Sequence, residues 1–226
     1  MAHQKAKPKS IPKVSRQQVG AWAGIVGPVT FVVIFTLMGW FSPNYNSKLM
    51  YVSALSLEPQ GWVQKLNFVF VGASFLLFSY GFAARFQRGK ASRAGPILFA
   101  IIGLSLMGSG PFVMDTVALP FPQMTSHGQI HSILGALVFS LGPASCFVLC
   151  RRFREDQSWT KLHRWTLAAG IIMTVAVLLM KLAALPVPTG PNVLSAWVGY
   201  IQRVAIITLM SSVSSVGYTM LKLIRG

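Results

Sequence analysis

An all-α membrane protein with six transmembrane helices is the fold this sequence predicts, and three observations predict it. Hydrophobic residues fill 53% of the 226 positions and charged residues only 11%, the balance of a chain whose outer surface is solvated by lipid. Apolar runs of roughly 20 residues, the length that crosses about 30 Å of hydrocarbon, occur six times along the chain. The cations alternate with the connections. Sixteen lie in the N-terminal tail, the second and fourth connections and the C-terminal tail, against four on the other side. This is the positive-inside pattern, and it places both termini in the cytoplasm.

The spans are read as 22–41, 62–86, 95–114, 128–150, 165–185 and 198–223, forming one membrane domain, 22–223, after a basic tail, 1–21. The tail holds Lys5, Lys7, Lys9, Lys13 and Arg16 and no acid, a composition that cannot offset its ordering entropy by burial. The first span is too long for a signal-peptide core and lacks a small-residue cleavage site, so it is expected to remain as an anchor. The net charge of +16 is explained by orientation and by contact with anionic headgroups, so no nucleic-acid partner is expected. The first outer connection carries Pro43-Asn44-Tyr45 and Ser53–Leu57. The latter is expected to be a short turn lying over the bundle, with Tyr45, Tyr51 and Trp62 as anchors at headgroup level. Pro120, Pro122, Pro186, Pro188 and Pro191 stiffen the other two outer links. Cys146 and Cys150, one turn apart near the cytoplasmic end of the fourth span, are expected to be reduced packing residues.

One short motif opens all three even-numbered spans. Gly61-Trp-Val-Gln64-Lys65-Leu returns as Gly199-Tyr-Ile-Gln202-Arg203-Val, and a looser copy, Gly128-Gln-Ile-His131-Ser-Ile, puts His131 where the glutamines sit. The odd spans also match: Gly27-Pro28 with Leu37-Met-Gly39 resembles Gly95-Pro96 with Leu106-Met-Gly108. The offsets of 67–71 residues suggest three parallel helical hairpins related about the membrane normal.

Residues 24–223 resemble the domain-of-unknown-function 998 family of six-span prokaryotic membrane proteins. The likeness rests on Pro43-Asn-Tyr45, Ser53-Ala-Leu55, Pro111 with Asp115, His131, and Gly199-Tyr-Ile-Gln202-Arg203. It implies the six-span topology and carries no activity with it.

The candidate site is at the outer face. An ionisable group inside a span costs at least about 2.5–3.5 kcal/mol unless paired or wet, and Arg203 lies several residues into the sixth span. Pairing with Asp115 across the bundle would resolve that cost. Gln64, His131 and Gln202 occupy equivalent motif positions and would hydrogen-bond across helices if all three face inward, with Asn67 joining one turn on. The predicted ligand-binding cup is therefore Asp115, His131, Arg203, Gln202, Gln64 and Lys65, with Arg203 and Lys65 receiving an anionic group that Asp115 and His131 orient. His127 and His131, four residues apart, share a helical face. With Asp115 they form an alternative metal set, backed by Ser53 or Glu58, for a membrane hydrolase acting on a lipid. The other histidines, His3 and His163, are cytoplasmic by topology, and only His131 is clearly within a span, so neither a three-histidine centre nor haem ligation is expected. No catalytic set is complete, and no cofactor is called for. The reading is a non-catalytic multi-pass protein of a bacterial plasma membrane: an accessory or scaffold subunit, or a binder of lipid or a small ligand. The basic tail and the small-residue run Ser211–Gly217 would be available to a protein partner.

Overall fold

Ser15 sets where the first helix begins. Its hydroxyl accepts from the Gln18 backbone N–H at 3.2 Å while the Gln18 side chain accepts from the Ser15 N–H at 2.8 Å, a reciprocal cap that satisfies two orphan donors. Helix α1 therefore runs Arg16–Phe41, six residues ahead of the expected start at 22. The structure, a computed structural model, describes residues 14–89, 92–116, 119–185 and 192–225. Most of the basic tail and the prolines 186, 188 and 191 lie outside these.

Five further α-helices follow among the described residues: α2 Gly61–Arg85, α3 Ala94–Gly108, α4 Ser126–Phe153, α5 Thr160–Ala183 and α6 Val198–Arg225. Every described element is helical. Five of the six are long and apolar enough to cross a membrane; α3, with 15 residues, is a shorter apolar helix. At 1.5 Å per residue it is about 22 Å long. It stops short of the expected end at 114 because Pro111 has no N–H to continue the ladder. The chain turns out through Ser109 and Gly110, with the Phe112 N–H bonded to the Gly108 carbonyl at 3.1 Å.

The helices stand in a ring in chain order, each against its predecessor, with α6 closing on α1. Small residues bring the walls together. A Cβ on Gly20 would stand 2.5 Å from the Gly81 Cα, and one on Gly217 would stand 2.7 Å from the Ala21 carbonyl oxygen. The pairings show that α2 and α6 both run antiparallel to α1, so the two ends of the bundle differ. The described residues of connections 42–60, 109–125 and 184–197 lie at one end, called the outer end below; those of the basic connections lie at the other.

The core is an aromatic column. Phe75, Phe78 and Phe82, at helical spacing on one face of α2, and Phe86 just past its end are each at most 1% exposed. Phe99 packs edge-on to Phe78 at 4.9 Å, and Phe86 meets Trp159, which stacks on Phe153 at 4.9 Å. Such pairs contribute about 0.5–1.5 kcal/mol each beyond burial. Cys146 and Cys150 are unpaired and buried in the same core.

Candidate functional site

Each of the three motif glycines opens an even helix at the point where an outer connection presses on it. A Cβ on Gly61 would stand 2.5 Å from the backbone carbon of Ser56, and one on Gly199 would stand 2.5 Å from the Met50 carbonyl oxygen. On Gly128 it would stand 2.6 Å from the Asp115 carboxyl carbon. Only glycine leaves room for these approaches.

Connection 42–60 is held down by the residues that follow Gly199. The Gly199 N–H donates to the Lys48 carbonyl at 2.9 Å. Arg203 donates to the Ser47 carbonyl at 2.7 Å, the Tyr45 hydroxyl at 2.5 Å and the carbonyl of Gly199 at 3.0 Å, with longer contacts to the Ser47 hydroxyl and the Met50 carbonyl. Tyr45 is buried, not a headgroup anchor, and its hydroxyl donates in turn toward the Met50 and Tyr51 carbonyls at 3.2 and 3.1 Å. Burial pushes the Tyr45 phenol above its ordinary pKa while the Arg203 bond pulls it down. Tyr45 stays neutral and can donate and accept at once. Two short turns of connection, the 3₁₀ segment Val52–Leu57, do not lie over the bundle as expected. The segment sinks into the mouth of the bundle: Val52, Ser53, Ala54, Leu55 and Ser56 are all buried. Gln202 fixes it by accepting from the Val52 N–H at 2.7 Å.

The ion pair expected between Arg203 and Asp115 does not form. Asp115 instead holds Thr125, the N-cap of α4, its carboxylate accepting from the Thr125 N–H at 3.0 Å and the Thr125 hydroxyl at 2.5 Å. The Thr125 hydroxyl accepts in turn from the Gly128 N–H. A carboxylate there also meets the positive end of the helix dipole. Each charge is satisfied within its own cluster, so neither needs the other.

The motif positions Gln64, His131 and Gln202 divide. Gln202 and His131 face a central cavity of about 50 Å³, and Gln64 does not line it. Gln64 is fully buried. Its Oε1 accepts from Asn67 at 3.3 Å, while its Nε2 and the Asn67 Oδ1 have no hydrogen-bond partner. Asn67 also donates to the Phe31 carbonyl at 3.1 Å, tying α2 to α1. Lys65 is half-buried away from the cavity. His131 Nδ1 lies 2.8 Å from the Phe112 carbonyl. His127 is exposed, with its ring 5.4 Å from that of Phe112. Among the described residues no group of three or more histidine, cysteine or acidic side chains stands close enough to hold a metal ion.

The cavity is what sequence reasoning misses. All six helices and the 3₁₀ segment contribute to its wall. Ser53, Ser109, His131 and Gln202 supply its polar groups; Phe31, Phe68, Leu106, Phe139, Met173 and Leu209 are among its apolar ones. Its volume is several times the about 10–15 Å³ that one water needs. Gly135 lines it and has nothing within 4 Å of where a Cβ would sit. An isolated glycine inside a helix pattern is the one available signal.

These features define a multi-pass membrane protein: a helical ring around a small cavity, stoppered at one end by its own first connection. The chain belongs to the family described as protein of unknown function DUF998, whose model matches residues 25–219. No curated protein and no solved structure matches it.

Proposed function

We propose that this is a non-catalytic membrane protein that binds a lipid or small amphipathic ligand in the central cavity, entering when connection 42–60 lifts. In this reading all six helices span a bacterial plasma membrane as three parallel hairpins, with α3 extended by Ser109–Pro111. Both termini are cytoplasmic, as the cation asymmetry supports. The observation that carries the proposal is the cavity itself: mostly apolar walls with a few polar groups near the 3₁₀ segment, the make-up of a ligand site. Gln202, His131 and Ser53 would hold the polar end of the ligand. Arg203 would act one step back, holding the connection that closes over it. At about 50 Å³ the space takes a chain end or a molecule of a few heavy atoms while the connection is seated.

The test uses Gly135→Leu, whose Cβ meets no atom within 4 Å and whose larger side chain occupies the cavity that Gly135 lines. Full-length wild-type protein and variant are purified in mild detergent, and their retained small molecules are compared by mass spectrometry. A species held in near-stoichiometric amount by wild type and lost in the variant is the expected result. Identical profiles for the two proteins would defeat the proposal.

A further inference from the structure

The run Ser211–Gly217 does not present one small-residue face. Ser212 and Gly217 are buried in the bundle, Ser212 donating to the Thr208 carbonyl at 2.8 Å and Gly217 packed on α1. Ser211, Ser214 and Ser215 point the other way and are partly exposed. Because they are small and their flanks are not, they floor a groove on the lipid-facing side of α6.

The groove is made of three adjoining hollows that share residues. At the basic end a hollow of about 560 Å³ is lined by Trp22, Ile25, Tyr218, Leu221, Lys222 and Arg225. The next, of about 410 Å³, shares Ile25 and Tyr218 with it and adds Ser214 and Ser215. The third, of about 350 Å³, shares those two serines and reaches past Met210, which lines the central cavity from its other side, to Ile207. From Lys222 to Ile207 is fifteen residues, about 22 Å of helix. One leaflet with its headgroup region is half of about 40–45 Å, or about 20–22 Å. The groove thus runs from the headgroup level to the bilayer midplane.

Its two ends differ in chemistry. Trp22 and Tyr218 are 48% and 65% exposed at the mouth, the pair of residue types that settles at a membrane interface. Lys222 and Arg225 are exposed beside them. The Arg225 guanidinium is over the Trp22 ring at 5.9 Å, and neither cation has an acidic partner among the described residues. Beyond them the lining is aliphatic and hydroxyl only.

We propose that this groove is a binding site for one anionic phospholipid of the leaflet on the basic side: its phosphate at Lys222 and Arg225, one acyl chain along Ser214 and Ser215 to Met210. The site is separate from the central cavity and stands whether or not that cavity binds a ligand. Charge selects this occupant over a partner helix, because the cations at the mouth ask for an anion and the groove is one leaflet deep.

The full-length protein is reconstituted in vesicles of mixed phosphatidylglycerol and phosphatidylcholine, released into detergent, and its retained lipids counted by native mass spectrometry. Wild type is expected to keep one phosphatidylglycerol in preference to phosphatidylcholine. The double variant Lys222→Ala, Arg225→Ala should lower that preference about 30-fold, which at about 1.4 kcal/mol per decade corresponds to about 1 kcal/mol per cation. The double variant Ser214→Leu, Ser215→Leu fills the floor, faces lipid and so leaves folding intact; it should lose the retained lipid of either headgroup. Equal retention of both lipids by wild type overturns the proposal, as does unchanged selectivity in the cation variant. A lipid-free dimer that the serine variant abolishes would assign the groove to a second copy of this chain and also overturn it.

Discussion

Removing the Arg203 guanidinium should free the first outer connection without unfolding the bundle. Arg203 makes five hydrogen bonds in the structure, four of them to Tyr45, Ser47 and Met50. The two shortest, to the Ser47 carbonyl at 2.7 Å and the Tyr45 hydroxyl at 2.5 Å, are charge-assisted, and such bonds are worth about 1.5–3 kcal/mol each. Their loss in Arg203→Ala therefore removes about 3–5 kcal/mol from the docking of residues 42–60, allowing for some rehydration of the abandoned acceptors. That corresponds to a rise in the open population of about 100-fold or more. Arg203→Lys should recover only part of it, because a single ammonium cannot reach Tyr45 and Ser47 with two separate nitrogens as the planar fork does. Hydrogen exchange read by mass spectrometry checks this: peptides covering 42–60 should exchange far faster in Arg203→Ala, and α2 peptides around Phe75–Phe82 should not change. If 42–60 remains as protected as in wild type, the clamp assigned to Arg203 is wrong.

The motif glycines should differ in their tolerance of a methyl group. Gly199→Ala and Gly61→Ala press on backbone and should cost about 1–3 kcal/mol each, the usual range for overpacking, seen as a lower thermal midpoint in detergent. Gly128→Ala meets a side chain that can swing away, so its main cost should be the loss of the Asp115–Thr125 bonds. Asp115→Ala should lower stability by a similar amount, about 1–2 kcal/mol, through the lost cap and dipole interaction, and should leave exchange in 42–60 unchanged. Gln202→Leu, which removes the acceptor of the Val52 N–H, should cost about 1–3 kcal/mol for the unpaired buried donor and should raise exchange at Val52–Leu57.

The helices are legible because hydropathy over some 20 residues is a local property, and α2, α4 and α6 begin within two residues of where their glycine motifs predict. The early start of α1 has a local signal too: Ser15 and Gln18 spell a capping box, which the apolar run beginning at Trp22 does not reveal. The short α3 is signalled by Gly110-Pro111, which stops a helix whatever the hydropathy beyond it. The site is harder to read. Gln202 and His131 stand out in the sequence and do line the cavity, but their equivalence to Gln64 implies a shared orientation that the fold does not keep. Gln64 instead accepts from Asn67, whose amide also donates to the α1 backbone at Phe31, a contact that depends on how closely α1 and α2 approach. The Asp115–Arg203 pair fails for a related reason. Sequence shows two opposite charges in an apolar chain, and it does not show that a loop carbonyl, a tyrosine hydroxyl and a helix start stand close enough to satisfy each one separately.

Whether the stoppered cavity holds a ligand is decided by an experimental density map of the full-length protein in lipid nanodiscs. Non-protein density bounded by Ser53, His131, Gln202 and Met173 is expected in wild type and should be absent in Gly135→Leu. A well-ordered wild-type map in which Phe31, Phe139 and Met173 close over that space and leave nothing in it would refute the ligand-binding reading.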